Sequence, residues 1–283
     1  MILDAIFNKN NTIAISEYVV QSNEICNSYK MAVVADLHER EFLEIISILN
    51  RISPDFIFLP GDTLERRDEG VQGYTKDDID KWQKTSLFWK VACEFIWRVG
   101  LNHKNDNYAV SGNGLLFLKE ISSIAPVVMS VGNHEWYFTK EDTDCFNMYR
   151  IAVVDNTDTI INTDCGEYIR IGGLSTRYDM NWLHSFSQKE GFKILLCHHP
   201  EYYQQKIYGT EDDVFDVVVS GHAHGGQVRF LGRGLFSPGQ GLFPKYTKGM
   251  VERHIISAGV SNTAFFPRWG NPKELIVINI EGK

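Results

Sequence analysis

Asp36 and His38 stand two residues apart, directly after the apolar run Met31–Ala35. At an extended strand end, residues i and i+2 leave the same side. A carboxylate beside an imidazole suits a first-row divalent ion, although an Asp cap for the next helix beside a surface His would read the same. The pattern recurs four times along the chain. Gly61-Asp62 follows Phe56–Leu59, as an ordinary turn or as a carboxylate bridging two ions, with Gly permitting the tight backbone. Asn133 and His134, within Gly132-Asn-His-Glu135, follow Pro126–Val131 and offer a neutral oxygen ligand and an acid or hydrogen-bond donor. Glu135 is read as orienting its neighbours. His198 and His199 follow Lys193–Cys197, and His198, directly after the run, is the favoured ligand. His222 and His224, within Gly221-His-Ala-His, follow Phe215–Val219. The alternative for that last pair is two surface histidines in a loop. Five clusters of ligand-type residues, in a chain with nine histidines, point to one shared metal centre.

The elements behind these clusters must bring them together. Each apolar run is short, rich in Val, Ile and Phe, and bounded by Gly or Pro, which predicts a buried strand. Between the first two runs, Glu41–Ile52 places Phe42, Ile45, Ile46, Leu49 and Ile52 on one helical face. Strand, amphipathic helix and strand form a βαβ unit with parallel pairing, and ligands gather at the carboxyl ends of such strands. Tyr168–Ile171, His254–Ser257 and Leu275–Ile280 read as further strands. The stretch Glu65–Ser123 differs in character. It opens as a charged loop and continues as a helix over about Asp77–Val99, with Thr75 and Asp78 as a capping box. Trp82, Phe88, Trp89, Phe95 and Trp97 cover more than one face of that helix, so it is buried or covers something.

The bulk composition narrows the class. With 283 residues, 43% hydrophobic and 23% charged, the chain suits one large α/β domain rather than a disordered one. A formal net charge of −8 argues against gripping nucleic acid through its phosphates. Cys26, Cys93, Cys145, Cys165 and Cys197 are odd in number and widely spaced, without a C-x-x-C. Neither a disulfide framework nor a thiolate zinc site is expected, and a reducing compartment fits. Met1–Asn11 lacks the basic flank and long apolar stretch of a secretory leader, so a cytoplasmic location is expected.

Taken in order, D-x-H, G-D, G-N-H-E, H and G-H-x-H resemble the signature of calcineurin-like metallophosphoesterases. Gly221-His-Ala-His-Gly-Gly-Gln227 and Ser237-Pro-Gly-Gln-Gly-Leu-Phe-Pro244 are similar to the bacterial branch containing membrane-associated and cell-wall-directed phosphodiesterases. The resemblance implies a four-layer α/β/β/α sandwich with mixed sheets, here a single domain carrying a helical insertion at about 65–123. It implies two divalent ions (Mn, Fe or Zn). One would be held by Asp36, His38 and His224, the other by Asn133, His198 and His222, with Asp62 bridging. Two ions roughly 3.5–4 Å apart would bind phosphoryl oxygens and activate a bridging hydroxide, with His134 as general acid or transition-state stabiliser. The expected activity is hydrolysis of a phosphomonoester, phosphodiester or pyrophosphate in a small-molecule or lipid-linked substrate. A nuclease of the same superfamily and a non-catalytic metal-binding scaffold are the alternatives. Arg177 and Arg268 stand open between phosphate neutralisation and surface charge. The insertion stands open between a lid over an apolar part of the substrate, with peripheral membrane contact, and plain packing. The sequence leaves the oligomeric state open.

Overall fold

The structure, a computed structural model, describes residues 12–67, 112–163, 166–237, 239–262 and 268–282. Its frame is two six-stranded sheets. The first contains β1 (Ala14–Ser22), β2 (Tyr29–Val33), β3 (Phe56–Pro60), β4 (Val127–Ser130), β5 (Ala152–Val154) and the last strand, β16 (Glu274–Gly282), in the order β1-β16-β2-β3-β4-β5. The second contains β6 (Thr157–Asn162), β7 (Tyr168–Leu174), β8 (Phe192–Cys197), β9 (Val217–Ser220), β14 (Gly249–Val251) and β15 (His254–Ile256), in the order β14-β15-β9-β8-β7-β6. Four short strands form two small hairpins between β9 and β14: β10 (Arg229–Phe230) with β11 (Arg233–Gly234), and β12 (Phe236–Ser237) with β13 (Gly241–Leu242).

Alternation along the central strands explains the layering. Met31 and Val33, Phe58, and Val128 face inward and meet Ile169, Ile171, Ile194, Leu196, Val217 and Val219 of the second sheet. The intervening Ala32, Ile57, Leu59, Val127 and Met129 face outward, under α1 (Leu43–Ile52), α2 (Asn113–Ser122) and α3 (Lys140–Met148). Leu195 and Val218 likewise face outward, under α4 (Met180–Ser187) and the helical turns of Pro200–Ile207. Strands covered on both faces read as continuous apolar runs, and the result is the expected α/β/β/α sandwich. On α1 the buried residues are Ile45, Ile48 and Leu49, while Ile46 and Ile52 sit at its margin.

β2, β3, β4 and β5 pair in parallel, as do β7, β8, β9 and β15, whereas β16 against β2 and β6 against β7 are antiparallel. The five clusters therefore leave the carboxyl ends of two sheets, not one. Within the stretch 65–123, residues 68–111 lie outside the described residues, and with them the expected helix over Asp77–Val99 and its aromatic side chains. Asn113–Ser122 is α2, whose Phe117, Leu118 and Ile121 are fully buried in the outer core beside α1. One chemical expectation is corrected: Cys26 is disulfide-bonded, while Cys145 and Cys197 are free and buried. An odd count and wide spacing carry no information about which thiols meet in space. Among the described residues no helix is long and apolar enough to cross a membrane.

Candidate metal centre

The strand ends do not position their ligands by simple alternation. β2 stops at Val33, and beyond it Asp36 (φ 57) and His38 (φ 53) both take the left-handed conformation. Asp62 (φ 56), His222 (φ 64) and His224 (φ 44) do the same. Positive φ is uncommon for residues with a side chain and clusters at functional sites. Asp36 and His38 therefore sit not on an extended strand end, as the spacing predicts, but on a coiled strand-end loop that curls their side chains inward.

Neighbouring motifs lock these loops. The His222 amide donates to Asp36 Oδ1 at 2.9 Å, and the His134 amide donates to Asp62 Oδ1 at 2.8 Å. Each aspartate is thereby turned so that Oδ2 faces the shared interior. Asp36 Oδ2 is buried without a hydrogen-bond partner, as is His38 Nε2. Asp62 Oδ2 lies 3.6 Å from His38 Nε2 on one side and 3.2 Å from His198 Nε2 on the other. His198 Nδ1 meets the Pro60 carbonyl at 2.7 Å, which fixes the ring and points Nε2 at Asn133 Oδ1, 3.1 Å away. Ligand atoms of Asp36, His38 and His224 lie within 4.8 Å of one another, as do those of Asp36, Asp62 and His198. His222 stacks edge-on to His198, with ring centroids 5.0 Å apart. All seven candidate ligands thus converge.

Glu135 holds the scaffold of this cluster. Its Oε2 accepts from the amides of Asp62 (3.1 Å) and Gly132 (2.7 Å), and its Oε1 from those of Thr63 (2.8 Å) and Leu64 (2.9 Å). The neighbouring Gly132 could hardly be another residue, because a Cβ there would lie 2.2 Å from Asp62 Oδ1. In Glu135→Gln the new amide group faces two of these N–H donors and can accept from neither. We expect a loss of roughly 2–5 kcal/mol and a fall in Tm on the order of 10 °C. Thermal unfolding checks this, and an unchanged Tm would remove the anchoring role.

The charges fit a cationic occupant. Burial pushes Asp36 upward, and the Asp62 carboxylate adds to that; a positive charge at the site would reverse both effects. Burial also acts to raise Asp62, but the surrounding His134, His198 and His38 hold it well below the usual carboxylate range. His222 and His224 are kept far below the ordinary imidazole value, first by burial and then by neighbouring histidines or Arg268. Neutral imidazole is the form that ligates metal. For His198 burial works downward, yet Asp62 and Asp36 outweigh it and raise the ring to about 9. A buried set of N and O donors with inward-facing, unpartnered atoms fits divalent metal ions.

His134 sits beside the ligands, its Nε2 3.7 Å from Asp62 Oδ2. Its Nδ1 meets both oxygens of Glu65 at 2.9 Å, and Glu65 Oε1 also meets His38 Nδ1 at 2.8 Å. Burial alone would raise Glu65, but these two histidines pull it down to about 2. Arg67 also reaches the His134 ring. The sequence reading missed Glu65. Its available signal was a carboxylate three residues after Asp62 in the same loop, placed to take the second nitrogen of a site histidine. Arg66 is structural, donating to both oxygens of Asp142 and to Glu39, so the Asp62 loop is clamped to the start of α3.

His199 adjoins the cluster, a ligand atom of its ring lying within 4.8 Å of those of His198 and His222. Its Nε2 meets the Thr176 hydroxyl at 3.0 Å and its Nδ1 meets Glu201 at 3.3 Å, while its ring lies 4.0 Å from that of His222. The Glu201 carboxylate, itself 3.9 Å from His222 Nε2, packs under Gly239 of the Pro-Gly-Gln-Gly stretch, where a Cβ would fall 2.0 Å from Oε1. Arg268 is not a surface charge: it is buried, donates to the carbonyls of Gly259 and Ala258, and its charge is felt by His224 and Asp36. The Arg177 guanidinium lies 5.9 Å above the Trp136 ring.

Comparison with known proteins places the chain among relatives. An uncharacterized metallophosphoesterase of Campylobacter jejuni, Cj0846, is 25% identical over 260 residues, covering 88% of this chain and 56% of its own length. An uncharacterized Bacillus subtilis protein, YpbG, is 37% identical over 91 residues, 31% of either chain. The chain thus spans between about a third and just over half of these relatives. The Thermus thermophilus sulfate thiohydrolase SoxB aligns in space over 80% of this chain and 38% of that one, at 12% identity and a TM-score of 0.39, too low to bear on the fold. The calcineurin-like phosphoesterase family model matches residues 29–226. Since that match spans more than half of the chain, beginning ahead of Asp36 and ending beyond His224, the chain belongs to the calcineurin-like phosphoesterase family.

Proposed function

We propose that the protein is a dinuclear metal-dependent hydrolase of phosphoric esters or anhydrides. One ion is assigned to Asp36, His38 and His224 and the other to Asn133, His198 and His222, with Asp62 serving both. The observation that carries this reading is Asp62 Oδ2, which lies within 3.6 Å of a candidate ligand atom from each group. Bound divalent ions would polarise the phosphoryl group and make water a competent nucleophile at neutral pH. The protein's own groups do the rest. Asp36, Asp62 and the five other candidate ligands form a compact, buried donor set whose geometry exists before substrate arrives. Glu65 accepts from His134 Nδ1 and so turns Nε2 toward the cluster, where a proton carried on it would reach the leaving oxygen. The substrate class is a phosphate ester or pyrophosphate of a small or lipid-linked molecule.

Chelation followed by reconstitution tests the reading. Protein stripped of metal should lose hydrolysis of bis(p-nitrophenyl) phosphate and recover it with Mn, Fe or Zn, with metal analysis approaching two ions per chain. Activity that survives complete stripping, or saturation at one ion, would overturn the assignment.

A further inference from the structure

The lobe of short hairpins that follows the His224 loop has a composition unlike the rest of the chain. From Val228 to Val251 there are four Lys or Arg and no Asp or Glu, in a protein of net charge −8; Arg229 donates to the carbonyls of Gly225 and Gly232 and Lys248 pairs with Glu274, while Arg233 and Lys245 are exposed. Its apolar side chains are also turned outward. Leu231 and Gly232 form the two-residue tip of the β10–β11 hairpin, flanked by the paired Phe230 and Arg233. Phe230 is 78% exposed and Leu231 87%. Trp269, 52% exposed, lies beside them, its carbonyl accepting from the Arg229 amide at 2.8 Å. Phe243, 56% exposed, is held to the same lobe by its amide, which donates to the Leu235 carbonyl at 2.9 Å. Single exposed apolar residues are ordinary; several large ones gathered on one lobe mark an interaction surface.

Leu231 (φ 49) and Gly232 (φ 79) both have positive φ, the conformation of a tight hairpin turn that Asn-Gly adopts at least cost. A leucine there is strained as well as exposed. Phe243 repeats the combination, at φ 52. Leu231 and Phe243 thus each combine a left-handed backbone with more than half of their surface exposed.

We infer that this lobe docks on the surface of an anionic lipid bilayer. Phe230, Leu231, Phe243 and Trp269 would enter the boundary between headgroups and acyl chains, where amphipathic elements bury apolar side chains. Arg233 and Lys245, both exposed, would meet lipid phosphates. Charge complementarity selects this occupant: a two-fold contact between copies through the same lobe would set these cations against each other. The surface is tied to the candidate metal centre by Asn271, whose side-chain amide donates to the carbonyls of both His224 and Gln227.

The test uses the full chain with sedimenting vesicles of phosphatidylcholine, alone or with about a third phosphatidylglycerol. Binding is expected only to the anionic vesicles, weakening as salt is raised. The double variant Phe230→Ser/Leu231→Ser should lower the partition coefficient at least about tenfold. Arg233→Glu/Lys245→Glu should lower it similarly, each charge contributing about fivefold or more. Both variants should keep the wild-type Tm and the hydrolysis of a soluble diester. Failure to bind anionic vesicles, or variants that bind like wild type, would overturn the proposal. So would a wild-type dimer in sedimentation velocity that Phe230→Ser/Leu231→Ser dissociates, because the tip would then be an interface between copies. Activity of the metal-loaded protein on the soluble diester reports separately on the hydrolase reading.

Discussion

Asp62→Asn is expected to empty both metal positions together. The Asp62 carboxylate stands between the two ligand groups, with Oδ2 3.6 Å from His38 Nε2 and 3.2 Å from His198 Nε2. Replacing that oxygen by an amide nitrogen removes the negative charge both ions would share. The surrounding backbone should survive, because the His134 amide donates to Oδ1, which the Asn carbonyl can imitate. Metal analysis should show less than one ion per chain, and kcat/KM should fall by roughly 10³ or more, matching the several kcal/mol that metal ions contribute to charge stabilisation. Retention of two ions with activity within about tenfold of wild type would show that Asp62 does not bridge.

His134→Asn separates metal binding from proton delivery. Its ring lies beside the ligand cluster and is held from behind by Glu65 at 2.9 Å. The variant should keep two ions and the wild-type Tm while kcat drops about 10²–10⁴-fold, the span attributed to a positioned general acid. The loss should depend on the leaving group. An alkyl ester needs the proton and should show the full effect, whereas a p-nitrophenyl ester leaves as a stable anion and should show much less. Equal losses on both substrates would assign His134 to holding the substrate instead. Glu65→Gln should fall between wild type and His134→Asn on the alkyl ester, because it orients the ring without meeting the reacting atoms.

These expectations rest on residues the sequence displays to different degrees. Asp36, His38, Asp62, Asn133, His198, His222 and His224 all follow short apolar runs, and type plus position made them visible. The central strands were legible for the same reason: residues buried on both faces leave an uninterrupted apolar signal. Edge and connecting elements left no such mark. β1, with alternate residues exposed, β5 and β6, half-exposed, and α3, whose buried side includes Asp142 and Cys145, carry little apolar contrast. Glu65 was hard to see because the histidine it hydrogen-bonds, His134, is 69 positions away along the chain.

The sequence by itself determined which residue types could hold metal and that they sit at strand ends, because ligand chemistry and strand burial are local properties. Only the tertiary structure decided that the strands belong to two sheets whose carboxyl ends meet. It alone fixed the left-handed turns at Asp36, His38, Asp62, His222 and His224, and placed Asp62 Oδ2 between the two groups. Those facts arise from contacts such as the His222 amide on Asp36 and the four amides on Glu135. Such contacts join residues distant along the chain, and a reading of neighbours along it cannot see them.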